Sequence, residues 1–256
     1  MGRDRPMSLP TALRVENLCK IFGRVAAVDH LSCEVRSGEL IGIIGPNGSG
    51  KTTLVNLISG FVKPTSGRIL YNGQDITRTA PHKIVCMGIS RTFQMVRPFY
   101  RLPAYKNMII PLYSPRVRQL AGGQYGDRNA VALDLLEEVG FERDAHVAYK
   151  PAGTLPQGYL KRLELAKAIA LSPDLLILDE LFSGLSLAEV ASIVPVIEKL
   201  RLAGKTIIMI EHRLKELFRI ADRIMVLNFG QKIAEGAAAE VMASEDVKKA
   251  YLGSEE

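Results

Sequence analysis

The chain has 256 residues, of which 47% are hydrophobic and 23% charged, and carries a formal charge of +6. That length accommodates one large α/β domain with an inserted subdomain rather than two such units in tandem, and the composition excludes extensive disorder. Apolar runs such as Leu175 to Leu178 and Ile207 to Ile210 are strand-sized, far short of the roughly 18 uninterrupted apolar residues of a spanning helix, so the chain is not expected to cross a membrane.

Residues 1–10 carry Arg3 and Arg5 without an apolar stretch or a small-residue cleavage site. They read as a disordered N-terminus with no secretory signal, and a cytoplasmic location is expected. From there, Leu13 to Leu18 and Leu31 to Val35 alternate apolar and polar residues, and Leu40 to Ile44 is an apolar run; these predict three strands. Leu54, Leu57 and Ile58 then recur at helical spacing, with Gly60 placed to end the helix. A short strand, Arg68 to Tyr71, lies between Ser66-Gly67 and Asn72-Gly73.

Residues 98–124 hold four prolines and no sustained period, and they open a middle region, residues 98–172, that reads as an inserted helical subdomain. In it Val131, Leu135, Leu136 and Val139 form a predicted apolar stripe, and a second helix is predicted from Leu160 to Leu171. Leu175 to Leu178 and Thr206 to Ile210 are buried-type strands separated by a helical stretch, Leu187 to Leu202, the alternation of a parallel sheet with crossover helices. Pro195 inside that stretch is expected to kink or shorten the helix. Arg223 to Leu227 and Gln231 to Ala234, joined through Asn228-Phe229-Gly230, read as a hairpin before a helical tail. The three cysteines, Cys19, Cys33 and Cys86, are odd in number and lack metal-ligand spacing, so buried free thiols are expected.

The sharpest signal is Gly45-Pro46-Asn47-Gly48-Ser49-Gly50-Lys51-Thr52, a P-loop that follows an apolar strand and opens a helix. Its glycines let successive backbone N–H groups turn toward β- and γ-phosphate oxygens, with the helix N-terminus reinforcing them. Lys51 adds positive charge, Thr53 continues the nucleotide-binding segment, and Thr52 is placed to give Mg²⁺ a hard hydroxyl oxygen. Asp179, ending Leu175 to Leu178, is the expected magnesium partner of Walker B type, and Glu180 after it is placed to polarise the water attacking the γ-phosphate. A P-loop alone leaves kinases, GTPases, helicases and motor ATPases open.

Four further segments in matching order resemble the ABC ATPase family. Gln94 in Arg91-Thr92-Phe93-Gln94 is similar to its Q-loop glutamine, which implies a contact to magnesium or the attacking water and a hinge toward membrane subunits. Leu155-Pro156-Gln157-Gly158-Tyr159 resembles the signature segment, Ser183-Gly184-Leu185-Ser186 the D-loop, and His212 the switch histidine that reaches the γ-phosphate. Phe22 stands where the family stacks adenine on an aromatic ring. The resemblance covers Leu13 to Gly253. It implies a P-loop NTPase core with a mostly parallel sheet, an N-terminal antiparallel β subdomain and the inserted helical subdomain, all within a single ATPase domain spanning residues 11–256.

Arg91 to Gln94, with the segments Asp222 to Gly236 and Ala250-Tyr251-Leu252-Gly253, further resembles the ATPases of branched-chain amino-acid uptake systems. That implies ATP and Mg²⁺ as cofactors and a place at the cytoplasmic face of the membrane. The partners implied are a second ATPase, two integral-membrane permease subunits and, indirectly, a periplasmic or extracellular solute-binding protein, with no nucleic acid. Repair-type relatives carry long coiled-coil insertions and translation-type relatives join two motors, and neither fits this length.

The signature departs from the family pattern. Pro156 and Gln157 stand where a serine and a glycine are expected, Tyr159 replaces the usual glutamine, and Ser186 replaces an aspartate or asparagine. Proline offers neither a hydroxyl nor a backbone N–H, so that part of the anion cradle loses donors. Pairing with a different ATPase whose signature is intact is therefore expected.

Overall fold

A computed structural model describes residues 10–122, 126–143 and 145–252. The N-terminal segment and Gly253 named above lie outside these residues, except for Pro10.

An antiparallel sheet is built from β1 (Thr11–Phe22), β2 (Val25–Arg36), β4 (Ser66–Tyr71) and β5 (Gln74–Asp75), in the order β2-β1-β4-β5. The larger sheet has the order β10-β9-β3-β8-β7-β6, from β3 (Leu40–Ile44), β6 (Ile89–Arg91), β7 (Leu175–Asp179), β8 (Thr206–Ile210), β9 (Arg223–Asn228) and β10 (Gln231–Gly236). Its pairs are parallel except β9 with β10. The sequence pattern located most of these strands, and the antiparallel sheet appears as the resemblance implied.

The central strands read as unbroken apolar runs because both of their faces are covered. Leu175 and Ile177 of β7, with Ile208 and Ile210 of β8, face a core shared with the antiparallel sheet and α1 (Lys51–Ile58). Leu176, Leu178, Ile207 and Met209 alternate to the opposite core.

Helices α2 (Pro81–Met87), α3 (Ile109–Leu112), α4 (Pro115–Leu120), α5 (Arg128–Glu138), α6 (Gln157–Ala170), α7 (Leu187–Leu202), α8 (Leu214–Ile220), α9 (Ala238–Ala243) and α10 (Glu245–Leu252), with short 3-10 turns at Ala104–Met108, Val147–Tyr149 and Ala152–Thr154, complete the order of the described elements. The second core draws in Leu112, Leu136, Leu163, Ile193, Leu217 and Val241 from this set.

Three expectations change. Helix α7 is not shortened at Pro195 and spans 16 residues, Leu187–Leu202. Pro195 and Ala191, whose carbonyl loses its helical donor, both lie on the exposed face, where water can serve that oxygen. The buried stripe of α5 is Ala132, Leu136 and the following Val139, while Val131 is 40% exposed, because the helix turns one position from the face predicted. Cys19 and Cys33 are buried free thiols, but Cys86 is exposed, since α2 buries only Ile84.

Candidate functional site

Strand β3 delivers the chain into the P-loop at the end of the parallel sheet, and α1 leaves from it. Gly50 caps the helix at φ 102, and a Cβ there would lie 2.4 Å from the Ala27 carbonyl oxygen, so no side chain fits. The hairpin between β9 and β10 braces the loop, with Gly230 N–H donating to the Ser49 carbonyl at 3.0 Å. Tyr251 of α10 is also hydrogen-bonded to the Gly45 backbone.

Lys51 is buried and its ammonium donates to the carbonyls of Gly45 (2.7 Å) and Pro46 (2.8 Å) and to Ser49 Oγ (3.3 Å). Burial lowers its pKa, opposed by the carboxylates of Glu180 and Asp179. Phe22, half exposed at the end of β1, lies under the Lys20 ammonium at 4.8 Å.

The sheet order places β8, β7 and β6 side by side, so their C-terminal ends share one edge with the P-loop. Glu180 follows β7, Gln94 follows β6 and His212 follows β8. Gln94 Nε2 donates to Glu180 Oε2 at 2.7 Å, and His212 Nε2 is 3.2 Å from Glu180 Oε1. Glu180 itself sits at φ 50, a left-handed conformation costing about 1–3 kcal/mol in a residue with a side chain unless its surroundings hold it.

Asp179 is 2% exposed and its nearest cation is Arg91 Nη2 at 2.8 Å. Burial raises the Asp179 pKa and the guanidinium opposes this. Arg91 Nη1 also donates to Asn56 Oδ1 (2.8 Å) and Ser59 Oγ (2.9 Å). Thr52, Gln94 and Asp179 open on one cavity of about 420 Å³. Hydroxyl, amide carbonyl and carboxylate are hard oxygen donors, a set that fits Mg²⁺.

The signature segment forms the first turn of α6, three residues earlier than the predicted helix start. Pro156 is the N-cap, with no side-chain capping bond, and its carbonyl accepts from Leu160 N–H at 3.1 Å. The N–H groups of Gln157, Gly158 and Tyr159 have no intrahelical acceptor. Leu155 is buried, and a Cβ on Gly158 would lie 2.0 Å from Glu189 Oε1, so this segment packs directly on α7. Ser186 caps α7: its Oγ accepts from Glu189 N–H at 3.2 Å while Glu189 Oε2 accepts from Ser186 N–H at 2.8 Å. An aspartate or asparagine would fill the same N-cap role, so the Ser186 departure has a local structural explanation.

Sequence reasoning missed the buried charges beneath this edge. Arg91 was visible only as a letter of its motif, and Lys161 and Glu211 only as charges in otherwise buried patterns. Glu211 Oε1 accepts from Phe182 N–H at 2.8 Å, tying the start of the D-loop to the residue beside His212. Burial pushes the Glu211 carboxyl up from 4.5 to about 7. The folded protein therefore binds an extra proton between those values, and Glu211 lowers stability as pH rises from about 4.5 to about 7. Urea unfolding across pH 5–8 is expected to show this fall, and Glu211→Gln to flatten it; equal slopes in both proteins would assign the effect to another group.

Cys19, Asp29 and His30 bring potential ligand atoms within 4.8 Å of one another. These groups already satisfy each other: Asp29 accepts from Gln231 Nε2 (2.6 Å) and meets His30 Nδ1 (2.7 Å), and Cys19 Sγ accepts from His30 N–H (3.2 Å).

A family model described as ABC transporter matches residues 28–183, and one described as branched-chain amino acid ATP-binding cassette transporter matches residues 231–256. The chain is 36% identical to the high-affinity branched-chain amino acid transport ATP-binding protein BraF of Pseudomonas aeruginosa, over 96% of this chain and 99% of that protein. It is 35% identical, with the same coverage, to the transport ATP-binding protein LivG of Escherichia coli. Among solved structures, a nucleotide-free ATP-binding cassette from an ABC transporter superimposes with a TM-score of 0.83 at 31% identity, covering 94% of this chain and 98% of that one. A cassette in its ADP conformation gives 0.81 at 33% identity, covering 95% and 99%.

Proposed function

The chain belongs to the family of ABC transporter ATP-binding subunits, and from that premise we propose that it energises uptake of branched-chain amino acids or a related small polar solute through partner permease subunits. The observation that supports the solute class is similarity to branched-chain transport ATPases over nearly the whole chain, including the separate match to the C-terminal segment. Among the described residues no helix is long and apolar enough to cross a membrane. We place the subunit peripherally, at the cytoplasmic face, against two permease subunits served by an external solute-binding protein.

In this reading the P-loop N–H groups and Lys51 hold the nucleotide phosphates, Thr53 extends that segment and Phe22 stacks on adenine. Thr52, Gln94 and Asp179 would hold Mg²⁺, which would neutralise phosphate charge. Glu180 orients and polarises the attacking water, with Gln94 and His212 setting its two oxygens. Residues 98–172 act as the helical subdomain that moves with the permease. Loss of leucine, isoleucine and valine uptake on deleting the gene, restored by the wild-type chain, is the expected result; unchanged uptake would overturn the solute assignment.

Leu155, Pro156, Gln157, Gly158 and Tyr159 would cover the nucleotide of the opposite ATPase subunit. Pro156 supplies no hydroxyl there, and one transition-state donor is worth about 10²–10³-fold in rate. The purified chain is accordingly expected to hydrolyse ATP slowly by itself. Pro156→Ser should raise its turnover by at least about 10-fold, a conservative fraction of that range. Fast hydrolysis by the unaltered chain alone would sink the idea of unequal sites and of a different, signature-intact partner.

A further inference from the structure

The signature helix α6 carries a lysine, Lys161, that is 2% exposed. Buried ammonium groups normally pair with carboxylates. Among the described residues none lies in ion-pair contact with this one; Glu211, Glu180, Asp179 and Glu164 act on it only through the longer-range field. Its direct partners are two backbone carbonyls, that of Gln94 at 3.1 Å and that of Glu180 at 2.9 Å.

Those two residues are the ones whose side chains meet at 2.7 Å over the catalytic edge. One ammonium therefore holds the backbones of a pair that is also joined through its side chains. Glu180 has the most to gain from being held, because its φ of 50 is unfavourable for a residue with a Cβ. Its N–H is fixed by the Ile210 carbonyl at 2.9 Å, and its own carbonyl is fixed by Lys161. An apolar residue of similar size would fill the same volume, and replacing buried charge in that way is often neutral for stability. Packing alone does not call for a lysine here.

We infer that Lys161 is a positioning residue for hydrolysis, holding the Gln94 and Glu180 backbones in register and thereby joining the helix capped by Pro156 to this chain's own catalytic edge. The inference rests on the hydrolytic roles proposed for Glu180 and Gln94. Lys161 touches neither the P-loop nor Lys51 in any hydrogen bond of the structure, so its loss should leave nucleotide binding in place. The two steps are separable.

The test compares the full chain with its Lys161→Met variant, in steady-state ATP hydrolysis and in binding of a fluorescent ATP analogue. The expected result is kcat lowered on the order of 10-fold or more, the loss reserved for displaced catalytic geometry, with affinity for the analogue changed by less than about threefold, under 1 kcal/mol. Unchanged kcat overturns the assignment. So does a loss of nucleotide affinity as large as the loss of kcat, which would mark a residue needed for the general fold. If the methionine variant does not fold, Lys161→Gln, which keeps an N–H donor for one carbonyl, is read by the same split. Glu180→Gln is measured in parallel: wild-type turnover that survives it would sink the underlying roles, whereas turnover that depends on Glu180 and ignores Lys161 would sink only this inference.

Discussion

Glu180→Gln is expected to lower kcat by about 10²–10⁴-fold, the usual value of a positioned general base, while leaving ATP binding intact. The amide keeps the shape of the carboxylate and can still meet Gln94 and His212, which lie 2.7 and 3.2 Å away. It lacks the negative charge that polarises water. Lys51 and its carbonyl partners at Gly45 and Pro46 are untouched by the change. With ATP bound and not consumed, any sandwich that forms should persist, so a species of twice the 28.1 kDa mass in light scattering on adding ATP and magnesium would show that the chain can pair with itself. Dimer formation would also show that Pro156 permits closure. A variant that binds ATP and stays monomeric would point to an obligatory different partner, and unaltered hydrolysis would remove Glu180 from the mechanism.

Arg91→Met is expected to be the most destabilising single change at this edge. Arg91 and Asp179 have side chains 7% and 2% exposed, so removing the guanidinium leaves a buried carboxylate without its ion-pair partner. Breaking a buried pair from one side costs about 3–5 kcal/mol, which for a domain of this size lowers Tm by about 6–20 °C. The Asn56 and Ser59 oxygens lose a donor as well. Adding Asp179→Asn removes the stranded charge and should recover part of the loss, a coupling that a double-mutant cycle in thermal unfolding would measure. Additive losses in the cycle would mean that the two groups do not depend on each other.

The phosphate loop was legible because its eight residues, the lysine among them, are contiguous in the chain: a strand, a glycine-rich turn and a helix start are local events. The central strands were legible because burial on both faces leaves unbroken apolar runs, Leu175 to Leu178 and Ile207 to Ile210. Helix α2, strand β6 and helix α8 were not, since elements of three to seven residues draw their stability from packing rather than from a repeating pattern. Pro195 shows the same limit from the other side. Proline weakens a helix locally, yet buried Val190, Ile193, Val194 and Ile197 hold α7 against the sheet through it.

By itself, then, the sequence determined the α/β class and the P-loop, because each is written in neighbouring letters or in a simple period, while Gln94 and His212 were singled out only by resemblance to the family. Only the tertiary structure decided which of the site residues touch. Gln94 and Glu180 are 86 residues apart, and Glu180 and His212 are 32 apart; they meet because parallel pairing of β6, β7 and β8 brings three strand ends to one edge. The partners of Arg91, Lys161 and Glu211 were decided there too. A buried charge selects its partner by distance after the chain has folded, and no spacing along the chain encodes that distance.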